Sequence, residues 1–138
     1  MSETQDRPAL MTRPIPAPAV SVETKPFWDA AAEGRFLIKR CVACGKAHWY
    51  PRTYCPFCDG GETVWEESPG EGVIYTYSVM RRSPTGPYAI GYVTLDEGPA
   101  VLTNFVGVAP DGLAIGMRVK VQFQPTEGGP PVPVFAPV

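Results

Sequence analysis

Four cysteines fall in two pairs, Cys41-x2-Cys44 and Cys55-x2-Cys58, with ten residues between the pairs. No other feature restricts the fold as much. Two Cys-x2-Cys turns place four soft thiolates at the corners of a tetrahedron, the arrangement zinc prefers. The short loop between them suits a compact ribbon in which two hairpin tips face one metal. Each tip needs a residue that turns with positive φ just after its second cysteine. Gly45 does so without strain, and Asp59, followed by Gly60, does so adequately. Cys41, Cys44, Cys55 and Cys58 therefore predict a structural zinc site, with iron as the other metal that accepts four thiolates. Such a shell is closed and leaves no position for water or substrate.

Cysteine occurs nowhere else in the 138 residues. In reducing surroundings, paired cysteines read as metal ligands rather than disulfides. Residues 1–20 carry Pro8, Pro14, Pro16 and Pro18 and no apolar run of the kind a secretory signal needs. No stretch approaches the length of a membrane span. A cytoplasmic location is the expectation. With 17 prolines and 14 glycines against 19% charged residues, the composition favours short strands and turns over long helices. A formal net charge of −2 gives no global electrostatic case for nucleic acid.

Residues 1–23, rich in Pro, Ala and Thr and without periodicity, read as a flexible arm. Residues 24–34 read as a short helix. Thr24 can cap it, Pro26 is tolerated in its first turn, Phe27, Trp28, Ala31 and Ala32 fall at helical spacing, and Gly34 stops it. Two turns do not stand alone in water. Phe27 and Trp28 must dock, either on the ribbon and barrel of this chain or in another chain. Residues 35–68 form the predicted ribbon. Phe36 to Arg40 reads as a strand entering the first tip, and Trp49, Tyr50 and Tyr54 as a small aromatic core. His48, the sole histidine, reads as a surface or packing residue. Glu62, Glu66, Glu67 and Glu71 mark an acidic connector.

Residues 69–138 are predicted to be all β. Val73, Tyr75, Tyr77 and Val79 alternate with Ile74, Thr76, Ser78 and Met80, a period of two. Tyr88 to Leu95 is a nearly continuous apolar strand, and Gly91 within it predicts a bend or a close backbone approach. Val101 to Val106 is a third strand. Met117, Val119, Val121 and Phe123 alternate with Arg118, Lys120, Gln122 and Gln124 as a fourth. Val132 to Phe135 is a short fifth. Five short strands over about 65 residues fit a small closed barrel of the OB type. Residues 107–116 are too short and too rich in Gly and Pro for the helix that OB barrels often carry there. The fold class is mainly β: a short N-terminal helix, a zinc ribbon and a five-stranded barrel.

Between Gly34 and Cys58 there are five cations, Arg35, Lys39, Arg40, Lys46 and Arg52, and no acid. With four thiolates and one divalent metal, that segment carries a net charge of about +3. It reads either as a positive face for an anionic ligand or acidic partner, or as cations that offset the tetrathiolate.

The string FWDAAAEGRF before the two cysteine tips, then PR-x2-CP-x-C, resembles a known family of zinc-ribbon OB-fold proteins, domain of unknown function thirty-five. GVIYTYSVMRR, PYAIGYVTLDEGPAVLTNFVG and IGMRVKVQF carry the resemblance through the second half, from about Phe27 to Phe135. It implies a helix, a rubredoxin-like zinc ribbon and an OB barrel. It also implies a role as a non-catalytic accessory subunit of a thiolase-superfamily enzyme that makes or breaks carbon–carbon bonds next to an acyl-CoA thioester. In that role the chain forms a hetero-oligomer, stabilises it and helps to bind or channel the CoA or acyl group. Cys41, Cys44, Cys55 and Cys58 match the family's metal ligands, and no catalytic residue carries over. Asp59 stands where the second tip usually has glycine, and Arg81-Arg82 where relatives often have histidine.

The residues themselves point away from an enzyme, with one histidine, no spare cysteine and no Gly-rich phosphate loop opening a helix. The loop from Met80 to Tyr88 joins the first two barrel strands, a ligand-facing place on OB folds. Arg81, Arg82 and Tyr88 there, with Phe27 and Trp28 on the helix, are the candidate contacts to CoA or to a partner. The alternative is a single-stranded nucleic-acid-binding ribbon and barrel. Against it, the barrel half holds only Arg81, Arg82, Arg118 and Lys120 beside nine acids from Asp59 onward. A third reading is electron transfer through iron in the same four-cysteine site.

Overall fold

A helix of two turns survives only if its apolar face is covered. In the computed structural model, which describes residues 15–84 and 86–138, helix α1 (Lys25–Ala32) buries Phe27, Trp28, Ala30 and Ala31. Its end is set by Gly34, at φ 79°, whose N–H donates to Ala31 O (3.0 Å) while Arg35 N–H returns to Ala30 O (2.9 Å). Thr24 does not cap the helix with its side chain; its hydroxyl meets that of Ser21 at 3.0 Å instead. Phe27 is 0% exposed, with ring centroids of Phe36, Trp49 and Tyr50 at 5.8, 5.7 and 6.0 Å. Trp28 donates its indole N–H to Tyr50 Oη at 3.0 Å. This corrects the expectation that Phe27 and Trp28 reach another chain: their surface is used up inside this one.

The ribbon is a three-stranded antiparallel sheet of β1 (Phe36–Cys41), β2 (Ala47–His48) and β3 (Thr63–Ser68), in the order β2-β1-β3. The third strand is the segment that reads in sequence as an acidic connector. Its glutamates hide the strand period, yet they are placed by it. The guanidinium of Arg40 grips Glu66 through two nitrogens (2.7 and 3.0 Å), and Arg35 reaches Glu67 at 3.2 Å.

Strands β4 (Glu71–Met80), β5 (Tyr88–Leu95), β6 (Ala100–Phe105), β7 (Arg118–Gln124) and β8 (Val132–Pro137) close a barrel in the order β4-β5-β6-β8-β7. All pairings are antiparallel except β6 with β8, which meet in parallel at Phe105 and Phe135. That is the five-stranded OB arrangement. Gly91 is required by close approach: a Cβ there would lie 2.1 Å from Thr76 O and 2.7 Å from Tyr77 Cα. Between β6 and β7 there is a single 3-10 turn, Pro110–Gly112, rather than a helix.

The N-terminal aromatics plug into the barrel. Phe36, at the start of β1, packs on Phe123 of β7 and Phe135 of β8, with centroids 6.5 and 6.2 Å away. One continuous core therefore runs from Phe27 and Ile38 to Ile74, Val93, Val101 and Val119. Ribbon and barrel share an interior across the boundary drawn at residue 68.

Residues 15–23 form part of the arm read in sequence as flexible, and they make specific contacts. Pro16 bridges Glu127, Glu127 N–H donates to Ile15 O (2.9 Å), and the Glu23 carboxylate accepts the Thr53 N–H. The rest of that arm lies outside the described residues. Among the described residues no helix is long and apolar enough to cross a membrane.

Candidate functional site

The cysteine tips repeat one construction. At the first, Gly45 N–H donates to Cys41 O (2.9 Å), and at the second, Asp59 N–H donates to Cys55 O (2.9 Å). Gly45 (φ 76°) and Asp59 (φ 62°) supply the left-handed turn. All four Sγ atoms lie within 4.8 Å of one another, with Cys41–Cys58 at 3.6 Å and Cys44–Cys55 at 3.7 Å. A disulfide needs about 2.05 Å. Four sulfurs about 2.3 Å from a tetrahedral zinc stand about 3.8 Å apart, so the donor set fits zinc. Backbone amides already point at the sulfurs: Cys44 N–H at Cys41 (3.4 Å) and Phe57 N–H at Cys55 (3.3 Å). The first of these is the largest cause that holds the Cys41 thiol low, at about 7. At its neighbour Cys58 the pull of the Gly60 amide is outweighed by hydrogen bonding among the sulfurs, which pushes that thiol up. A Cβ at Gly60 would stand 3.2 Å from both Cys41 Sγ and Cys58 Sγ, so glycine keeps the cradle open.

Of the two readings of the ribbon cations, the positive face is reduced to Lys46 and Arg52, which stay exposed. Arg35 is held by Glu33 and Glu67, and Arg40 by Glu66. Lys39 is buried, its Nζ 4.5 Å over the Trp65 ring and donating to Thr63 Oγ1 (3.1 Å). Lys46 lies over the exposed ring of Phe57 at 5.2 Å. Cross-strand pairing brings the acids of β3 onto cations that look unopposed when only one stretch of sequence is read. Tyr54 also departs from expectation, being 65% exposed rather than part of the aromatic core.

His48 is a packing residue. Its Nε2 accepts the Arg52 N–H at 3.2 Å, which leaves the proton on Nδ1. Burial holds its pKa below the ordinary histidine value. Because the folded state disfavours the charged ring, stability from this group is complete above the unfolded value of about 6.5 and is lost as pH falls below it. An NMR titration of this single histidine is expected to give a midpoint below that of an unperturbed histidine side chain, about 6.5. A midpoint at or above it contradicts the buried, neutral assignment.

Arg81, Arg82 and Tyr88 flank the β4–β5 loop, with Met80 and Tyr88 paired across the strands. Arg81 donates to Asp111 Oδ1 at 3.0 Å, which ties the loop to the 3-10 turn. Arg82 is exposed and has no counter-ion among the described residues. The loop thus gathers three of the five predicted contact residues, while Phe27 and Trp28 lie in the interior. Sequence reading missed a groove of about 310 Å³ where the first tip meets the β5–β6 turn, lined by Arg40, Lys46, Phe57 and Glu97 among others. Its walls are distant in sequence and no local pattern announces it.

Comparison with known proteins agrees with this construction. A family model described as the ChsH2 rubredoxin-like zinc ribbon domain matches residues 28–64, and one described as the ChsH2 C-terminal OB-fold domain matches residues 65–124. A "Probable enoyl-CoA hydratase alpha subunit" of Thermomonospora curvata is 32% identical over 98% of this chain, which spans only 43% of that protein. A "DUF35 domain-containing scaffold protein" of Methanocaldococcus jannaschii is 35% identical, covering 70% of this chain and 74% of that one. A chain of the solved structure "Ltp2-ChsH2(DUF35) aldolase" superposes with a TM-score of 0.76 at 34% identity, over 87% of this chain and 98% of that one. Ribbon, barrel and cysteine centre together place the chain in the DUF35 family of zinc-ribbon OB-fold proteins.

Proposed function

We propose that this chain is the accessory subunit of an acyl-CoA-processing enzyme and that its partner is a thiolase-superfamily protein acting at a carbon–carbon bond next to the thioester. The observation that carries this reading is the match, over nearly the whole of that chain, to a component of a structure described as a two-part aldolase. Relatives named as scaffold proteins support it. The cysteine centre supports it too, since four thiolates around zinc leave no coordination site for substrate. Zinc fixes the tips, the tips fix β1, and β1 delivers Phe36 to the barrel. Catalytic groups lie on the partner, and Arg81, Arg82 and Tyr88 contact the CoA group or the partner itself. The single-stranded nucleic-acid alternative loses its main support, because Arg35 and Arg40 are paired with glutamates.

A hydratase partner is the second reading, favoured by the relative named as an enoyl-CoA hydratase subunit, most of which lies outside the matched segment. Native purification of a tagged chain with mass spectrometry of what comes with it separates the two. A thiolase-superfamily protein, inactive or unstable alone and restored by this chain, is the expected result. A chain that stays a monomer in its native extract overturns the proposal, and a hydratase-fold partner selects the second reading.

A further inference from the structure

An antiparallel barrel strand with one wet face alternates apolar and polar residues. Strand β7 does so, exposing Arg118, Lys120 and Gln122. Strands β5 and β6 do not. Their inward residues, such as Val93 and Val101, are buried, yet Ile90, Tyr92 and Leu102 face outward at 42, 42 and 50% exposure. The register joins them: Tyr92 sits between Thr76 and Leu102, and Ile90 between Ser78 and Asn104. Met80, 49% exposed, continues the strip on β4. Apart from Glu71 at the far end of β4, no side chain on this three-stranded face is charged. Four large side chains at about half exposure leave on the order of 400 Å² of apolar surface in one patch, within the range of the largest patch on a typical monomer, which is often functional.

We propose that the outer face of β4, β5 and β6 is where the enzyme subunit docks, and that the subunit presents there an uncharged apolar strip with a carboxylate at the edge facing Arg82. This rests on the accessory-subunit reading above. A specific interface takes about 800 Å² from each partner, so the patch is the dry centre of one and the β4–β5 loop part of its rim. Charge identifies the occupant. Nucleic acid needs cations along its track, and the face has none. Arg82, at the Met80 end, lacks a counter-ion among the described residues and calls for an acid from the occupant. A second copy of this chain serves poorly, because the acids at the opposite end, Glu71 and Asp96, are already held by Arg118 at 3.2 and 2.7 Å.

The test uses the full chain produced together with the partner identified by native purification. Ile90→Glu and Leu102→Glu each put a charge into the patch and are expected to raise Kd about a hundredfold. Arg82→Glu is expected to raise it about tenfold at low salt, with the difference closing at high salt. Gln122→Glu, on the outer face of β7, leaves it unchanged. Zinc content and thermal unfolding report whether each variant folds. Should a charged variant not fold, Tyr92→Ala and Leu102→Ala carry the test, each with an expected loss of about tenfold. Folded variants that bind the partner like wild type overturn the proposal and leave the accessory role standing. A wild-type chain that purifies without an enzyme subunit removes both. A free chain that dimerises, with a dimer that Leu102→Glu dissolves, gives the face to a second copy and overturns the assignment. Loss of oligonucleotide binding in the same variants does so as well.

Discussion

Cys44→Ser is expected to empty the metal centre and unfold the two tips. Structural zinc in such sites supplies on the order of 10 kcal/mol of apparent folding free energy at neutral pH, and apolar packing adds little at the tips. Among the described residues, Val42, Tyr54 and Phe57 are exposed, and the regular pairing of β2 ends at His48. Metal analysis after dialysis is expected to find zinc in wild type and almost none in the variant. Hydrogen exchange is expected to lose protection at Gly45 and Asp59, whose amides close the two tips onto Cys41 O and Cys55 O. The barrel has its own closed set of strands and persists, but with a lower Tm, because β1 brings Phe36 to it from the ribbon side. Retained zinc with wild-type exchange at both turns contradicts the structural assignment.

Phe36→Ala is the second large effect. This ring touches Phe27 on α1, Trp49 in the ribbon, Phe123 on β7 and Phe135 on β8. Removing a fully enclosed phenylalanine costs about 3–5 kcal/mol, from a total of about 5–15 for an ordinary domain. For a chain of 138 residues that is a fall in Tm of about 10–15 °C. Phe36→Leu keeps much of the volume and is expected to lose clearly less. The fluorescence of Trp49, 6.2 Å away, should shift in the alanine variant as its wall opens. An unchanged Tm rules out a shared core.

What could be read from the sequence was whatever is local. The metal ligands follow from spacing alone, and the φ of Gly45 and Asp59 follows from the turn each must make. Strands β5 and β7 lie almost where their patterns put them. Strand β3 was obscured because Glu66 and Glu67 answer to Arg40 and Arg35 on another strand, and that pairing exists only once β1 and β3 are side by side. The same long-range pairing took Arg35 and Arg40 out of the positive ribbon face. Phe27 and Trp28 belong to the interior because Tyr50 and Phe36 close over them, a contact no helical spacing reveals. The apolar outer face did leave a signal, the missing alternation in Tyr88 to Leu95, but that signal takes meaning only beside the regular alternation of β7.

The contact of Phe36 with Phe135 also sets an order of events during synthesis. The cysteine tips close over a short span that precedes every barrel strand and can capture zinc before the barrel is made. Strand β8, which completes the barrel and supplies Phe135, is the last of the eight strands to be made. Domains fold as units while the chain grows, and distant pairings wait for their later half. Zinc loading therefore organises α1, Trp49 and Phe36 into a preformed template on which the barrel closes. A growing chain starved of metal makes β8 without that template, so a shortage of metal during translation is expected to slow closure of the barrel, which persists once closed.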